Sequence, residues 1–167
     1  MVDDYIRNWR ERAARESEYF ARQRSFEDAV DRAARCVLPS GKRHSHQRRI
    51  PGESLDEARS RLLDDDGLRS CGSFHDLHER VNSLIHDIHM VGPLVVYDVS
   101  HRIGAYLGLE PEHVYLHAGT RDGARALGLG RGRETLDPSE LPNEFAALTP
   151  AEIEDCLCIY KSRLRAM

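Results

Sequence analysis

No run of this sequence comes near the roughly 18 to 20 consecutive apolar residues that a membrane-spanning helix requires. The chain opens on polar and charged residues, so the sequence predicts neither a signal peptide nor a membrane partner. Cysteine is scarce: Cys36, Cys71, Cys156 and Cys158. Their spacing fits no zinc site, and Cys156 and Cys158 stand too close for an ordinary disulfide. The pattern therefore points to reduced thiols in a cytoplasmic protein and to no bound metal. Strand-like alternation of apolar and polar residues is missing, and so are internal repeats. A surplus of positive charge is missing too. The net charge of −4 argues against general coating of a polyanion, so any nucleic-acid contact has to come from a local patch.

What is present is a globular composition, 40% hydrophobic and 31% charged over 167 residues. That length predicts one domain, residues 1–167, with a core that needs no staples. Helical periodicity recurs throughout and predicts an all-α bundle of about seven or eight short helices. One stretch organises them. Ser73 with Asp76 starts a helix whose stripe is Leu77, Val81, Leu84, Ile85 and Ile88. A tight turn follows at Met90-Val91-Gly92, where Gly92 suits unusual backbone angles. Pro93 then opens a second helix, as its missing N–H favours. Val95, Val96, Val99, Ile103, Tyr106 and Leu107 share one face of it, with Tyr97, Asp98, His101 and Ala105 on the other.

This stretch, residues 73–107, resembles the helix-hairpin-helix element of DNA-binding and DNA-repair proteins. In that family the hairpin reads Gly-apolar-Gly, and its amides face a DNA phosphate. Val91 and Gly92 match, while Met90 stands where the first glycine is usual. The resemblance implies phosphate contacts at Met90, Val91, Gly92 and the N-terminal turn at Leu94, where the helix dipole favours an anion. It implies no cofactor beyond a monovalent cation at the hairpin.

The most basic run is Lys42-Arg43-His44-Ser45-His46-Gln47-Arg48-Arg49, in a loop bounded by Pro39-Ser-Gly41 and Ile50-Pro51-Gly52. Lys42, Arg43, Arg48 and Arg49 are charge donors for phosphates, with His44, Ser45, His46 and Gln47 as supporting hydrogen-bond donors. His75, His78, His86 and His89 fall on one azimuth of the first hairpin helix, opposite its apolar stripe. The two i, i+3 pairs lie roughly 16 Å apart, too far to share an ion. They read as a titrating surface stripe, with His86 and His89 flanking the hairpin as further phosphate contacts.

Other signals order the rest of the chain. Asp3 to Arg24 reads as a surface helix, with Tyr5, Ile6, Trp9, Ala13 and Phe20 as its apolar side. Ser25 with Asp28 starts a helix carrying Phe26, Ala29, Val30, Ala33 and Val37. Ser54-Leu-Asp-Glu57 predicts a capping box. Glu110-Pro111-Glu112 predicts a helix start with Val114, Tyr115 and Leu116 as its apolar part. Thr120 predicts a cap for Arg121 to Leu127, and Thr149-Pro150-Ala151-Glu152 a capping box for the closing helix.

The order of parts from Phe74 to Leu129 also resembles the helical DNA glycosylase superfamily, through Arg125-Ala126-Leu127-Gly128-Leu129. The aspartate that promotes cleavage there is absent, as is the hairpin lysine of some members, and the cysteine pattern of the cluster-bearing members is missing. His117 or Tyr115 stands near the aspartate position. Cleavage of the base–sugar bond needs a carboxylate to stabilise positive charge, which a neutral histidine does not supply. The first expectation is thus a DNA-binding protein contacting the phosphate backbone without sequence preference. The second is a glycosylase-like enzyme acting on a flipped base, with His117 as general acid or base, although a hydrogen-bonded structural histidine beside Gly119 is the favoured reading of that residue. The third is a helical scaffold for a protein partner.

Overall fold

The computed structural model describes residues 1–44 and 47–165. Among them it has the all-α character that helical periodicity predicts. Eight helices occur: α1 (Val2–Asn8), α2 (Arg10–Ala21), α3 (Phe26–Ala34), α4 (Gly52–Leu63), α5 (Phe74–Ile85), α6 (Pro93–Leu107), α7 (Ala118–Ala126) and α8 (Pro150–Leu164). The chain divides into two compact units, Ala14–Glu110 and Met1–Ala13 with Pro111–Met167. Each has a core of its own.

In the first of these units, α6 packs against α3 and α5, and α4 against α3 and α5. Ser25 and Ser73 cap α3 and α5 as expected, their hydroxyls accepting from the Asp28 and Asp76 amides at 3.1 Å. The Ser54 box does not form. Pro51 is the N-cap of α4, and Ser54 lies buried inside the first turn. Proline can begin the helix earlier because no intrahelical partner awaits its missing N–H. Helix α5 stops at Ile85, short of the expected Ile88, although Ile88 remains buried. Helix α6 is buried on more than one face: Tyr97, Ser100, Arg102 and Gly104 are covered along with Val95, Val96, Val99 and Ile103. Two packed neighbours leave it little wet surface, which explains how its β-branched residues are held helical.

Two expectations in the second unit, and a third on the stretch Asp3 to Arg24, are corrected. Val114 to Leu116 are not helical. Val114–Tyr115 (β1) pairs antiparallel with Thr135–Leu136 (β2), in register Val114↔Leu136 and Tyr115↔Thr135. All three residues from Val114 to Leu116 are buried, and three consecutive covered side chains of this type suit an extended segment better than one helix face. Helix α7 begins before Thr120, with His117 as its N-cap. Asp3 to Arg24 is two helices, broken at Trp9, and Tyr5 and Phe20 are fully buried. Helix α8 carries the expected capping box of Thr149 and Glu152. Arg10 adds a bidentate grip on Glu152, at 2.6 and 3.0 Å.

Helix α7 lies almost against α8, and its glycines are what permit this. A Cβ on Gly123 would stand 2.3 Å from the Leu157 carbonyl oxygen, and one on Gly119 would stand 2.5 Å from Cys158 Sγ. Small residues at i and i+4 let two helix backbones approach where any side chain would hold them apart.

Candidate nucleic-acid interface

The hairpin between α5 and α6 closes through its own backbone. The Val91 amide donates to the Ile88 carbonyl at 3.0 Å, and Val91 itself is buried. That amide therefore faces inward, which corrects its expected role as a phosphate donor. A second correction concerns the glycine. Gly92 sits at φ −105 and ψ 178, ordinary extended backbone, as the N-cap of α6. The left-handed residue is Met90, at φ 63, with half its surface exposed. Met90 occupies the position that the family pattern gives to its first glycine, and a left-handed conformation is the one that favours glycine. Gly92 and Leu94 are half-buried. Leu94 is at the second position of α6, where helical geometry gives an amide no partner, and the first turn of α6 holds no acid.

The histidines do not form a single wet stripe. His78 is half-buried and stacks on Phe74, ring centres 6.4 Å apart, while His75 is exposed. His86 caps the C-terminus of α5 and turns Nδ1 to the Asn82 carbonyl at 2.8 Å. His89 lies beyond the helix, exposed next to Met90. Asp87 between them is paired with Arg61 at 2.6 Å.

The basic loop follows α3. Cys36 turns the chain at φ 58, and a Val37–Arg43 bridge with a Leu38–Lys42 hydrogen bond of 3.0 Å makes a small hairpin. Lys42, Arg48 and Arg49 are exposed and make no ion pair among the described residues. Arg43 is drawn inward instead, donating to the Ile50 carbonyl at 3.2 Å. The His44 amide donates to the Cys36 carbonyl at 3.2 Å. Ser45 and His46 lie outside the described residues, and His46 with them as an expected contact.

Gln47, expected as a supporting hydrogen-bond donor to phosphate, turns inward instead and is the anchor of this loop. It is fully buried in a run rich in cations and histidines. Its Nε2 donates to Asp98 Oδ2 at 2.7 Å, and its Oε1 accepts from Arg102 Nη1 at 3.2 Å. Arg102 is itself 5% exposed, with Glu16 at 3.5 Å, Asp98 at 3.8 Å and the Phe20 ring 5.6 Å from its guanidinium carbon. Burial works against its charge, but Asp98, Cys36 and Glu16 outweigh that and hold the guanidinium above its ordinary value. Burial also pushes the Cys36 thiol up to about 11, so it stays protonated at neutral pH.

His117, the acid or base of the glycosylase-like alternative, is 3% exposed, as the structural histidine that the sequence favours would be. Its Nε2 lies against Glu154 Oε1 of α8, and Thr120 Oγ1 donates to the same oxygen at 2.7 Å. The three groups satisfy one another inside the α7–α8 contact, and none faces solvent. The arrangement holds two helices together, which is the use a buried, mutually bonded polar set most directly serves. Tyr115 is buried as well, on β1. Among the described residues no group of three or more His, Cys, Asp or Glu side chains could hold a metal ion, and no helix is long and apolar enough to cross a membrane.

No family model matches the chain, and neither a curated relative nor a solved structure matches it.

Proposed function

We propose that the unit Ala14–Glu110 binds the phosphate backbone of duplex DNA without reading its sequence, in the manner of a helix-hairpin-helix protein. One observation carries this reading. In an acidic chain whose arginines mostly face carboxylates, Lys42, Arg48 and Arg49 stand exposed in one loop without an ion pair among the described residues. In the same unit Arg24, Arg59, Arg61, Arg69, Arg80 and Arg102 each meet an Asp or Glu. Unneutralised cations grouped on one segment are what phosphate binding requires, and releasing the counterions of DNA supplies the driving force.

The hairpin adds a second contact. Gly92 and Leu94 present the acid-free start of α6, and Met90 carries the left-handed turn that the family pattern assigns to glycine. Sequence preference is not expected, because every group named is a charge or a backbone donor and none reads a base edge.

Anisotropy of a labelled 20-base-pair duplex, titrated at several salt concentrations, tests the reading. The wild-type protein binds, with log K falling by about 0.9 per phosphate neutralised for each decade of salt. Reversing charge in Arg48→Glu/Arg49→Glu abolishes most of that binding. If the double variant binds duplex as the wild type does, the interface is elsewhere and the reading fails.

A further inference from the structure

The cations of the basic loop follow a backbone turn whose two ends are buried and whose middle is not. Gln47 and Ile50 are 0% and 6% exposed, and the Ile50 amide donates to the Gln47 carbonyl at 3.2 Å. Arg48 and Arg49 lie between them and are exposed. In a turn of this type residues i and i+3 fall on one side, so pinning Gln47 and Ile50 inward projects the two arginines outward. Ile50 is pinned by apolar packing. Gln47 is pinned by chemistry, through one hydrogen bond given to Asp98 and one received from Arg102.

Asp98 and Arg102 are one turn apart on α6, the helix that begins at the hairpin. At 1.5 Å per residue they stand about 6 and 12 Å along its axis from Leu94. The Cys36 end of the loop reaches the same guanidinium, since the Cys36 thiol and Arg102 interact and the Cys36 carbonyl holds the His44 amide. One rigid helix thus fixes both parts of the proposed footprint.

We infer that Gln47 is the positioning residue of the interface: clamped by Asp98 and Arg102, it holds Arg48 and Arg49 in fixed register with the start of α6. The inference rests on the DNA-binding reading above. A loop held ready in this way loses less freedom on binding than one that must be ordered by its ligand, so the clamp contributes to affinity without touching DNA.

The test compares salt dependence across variants of the full chain. Gln47→Met keeps volume and charge but removes both hydrogen bonds. Its salt slope becomes shallower by roughly 1.8, the contribution of two phosphates at about 0.9 each, and adding Arg48→Glu/Arg49→Glu then costs little further affinity. Asp98→Asn is a second, isosteric variant that keeps the clamp testable should Gln47→Met not fold. It removes a negative charge, which by Coulomb's law alone would tighten DNA binding. The clamp requires the opposite, weaker binding with a shallower slope, because the Gln47 amide loses its charged acceptor. A lower melting temperature with the wild-type slope in both variants overturns the inference and leaves Gln47 a structural residue. That outcome is distinct from failure of the underlying reading, in which wild-type protein does not bind the duplex or Arg48→Glu/Arg49→Glu changes nothing.

Discussion

Both units of this protein bury a small set of ionisable groups, and they bury them to different ends. Around Arg102, the side chains come from α2, the Cys36 turn, the basic loop and α6, so one guanidinium ties together segments far apart in sequence. Around Glu154, the partners are His117 and Thr120, on α7 and its N-cap, and the set joins two helices already in close contact. The first network holds Gln47, beside Arg48 and Arg49, which are exposed and make no ion pair among the described residues. The second is closed on itself. A buried polar network with a surface loop at its edge can transmit an arrangement outward, whereas a closed one only fastens a seam.

The contrast is open to direct attack. The largest effect falls on the Arg102 hub. Arg102→Met removes the cation that Asp98, Glu16 and Gln47 share, and costs about 3–5 kcal/mol, as breaking buried pairs does. Urea unfolding followed by hydrogen exchange should show amides of Ala14–Glu110 losing protection first. If those amides stay protected, the hub does not organise that unit. Next comes the seam. Gly123→Ala forces a methyl group against the Leu157 carbonyl and costs about 1–3 kcal/mol by overpacking. Trp9, the one tryptophan, belongs to the unit Met1–Ala13 with Pro111–Met167, so its fluorescence reports that loss.

A smaller effect is expected at Asp65, which is gripped by Arg80 at 2.6 and 2.9 Å and accepts from the Leu68 and Gly67 amides. Arg80 holds its carboxyl below the usual carboxylate range despite partial burial. A carboxyl lowered in the folded state stabilises above its unfolded value and loses that contribution as pH falls. The contribution is therefore complete at neutral pH and fades on acidification below about 4. Asp65→Asn costs about 1–2 kcal/mol at pH 7, and its melting temperature converges with wild type in acid. Equal gaps at pH 7 and pH 3 would disprove the pairing. The smallest change is a gain. Met90→Gly relieves a left-handed non-glycine residue and raises stability by about 0.5–1 kcal/mol in thermal melts.

The helical class was legible because short-range signals carry it. Ser25 with Asp28, Ser73 with Asp76, and Thr149 with Glu152 are caps whose partners lie three residues away. Pro93 and Pro150 mark helix starts for reasons internal to proline. What stayed hidden depends on distance along the chain. Gln47 meets Asp98 across 51 positions, and His117 meets Glu154 across 37. Nothing local distinguishes a glutamine destined for the core from one in a wet basic loop. Gly92 misled because glycine permits a left-handed turn without requiring it, and the turn fell two residues earlier. The strand at Val114–Tyr115 is too short for any period to show. Of the candidate contacts, Lys42, Arg48 and Arg49 were readable from charge alone, while the inward turns of Arg43 and the Val91 amide depend on backbone geometry that charge does not reveal.

Met90 has one more property that follows from its place. The chain's other methionines are Met1 and Met167, and Met90 alone lies in its interior sequence, on a turn with its side chain half in water. A thioether so placed is open to mild peroxide, which converts it to the polar sulfoxide that reductases reverse. The hairpin therefore carries its own chemical footprinting probe. Whatever settles over the start of α6 will slow that oxidation, and mass spectrometry can read the shielding without any label.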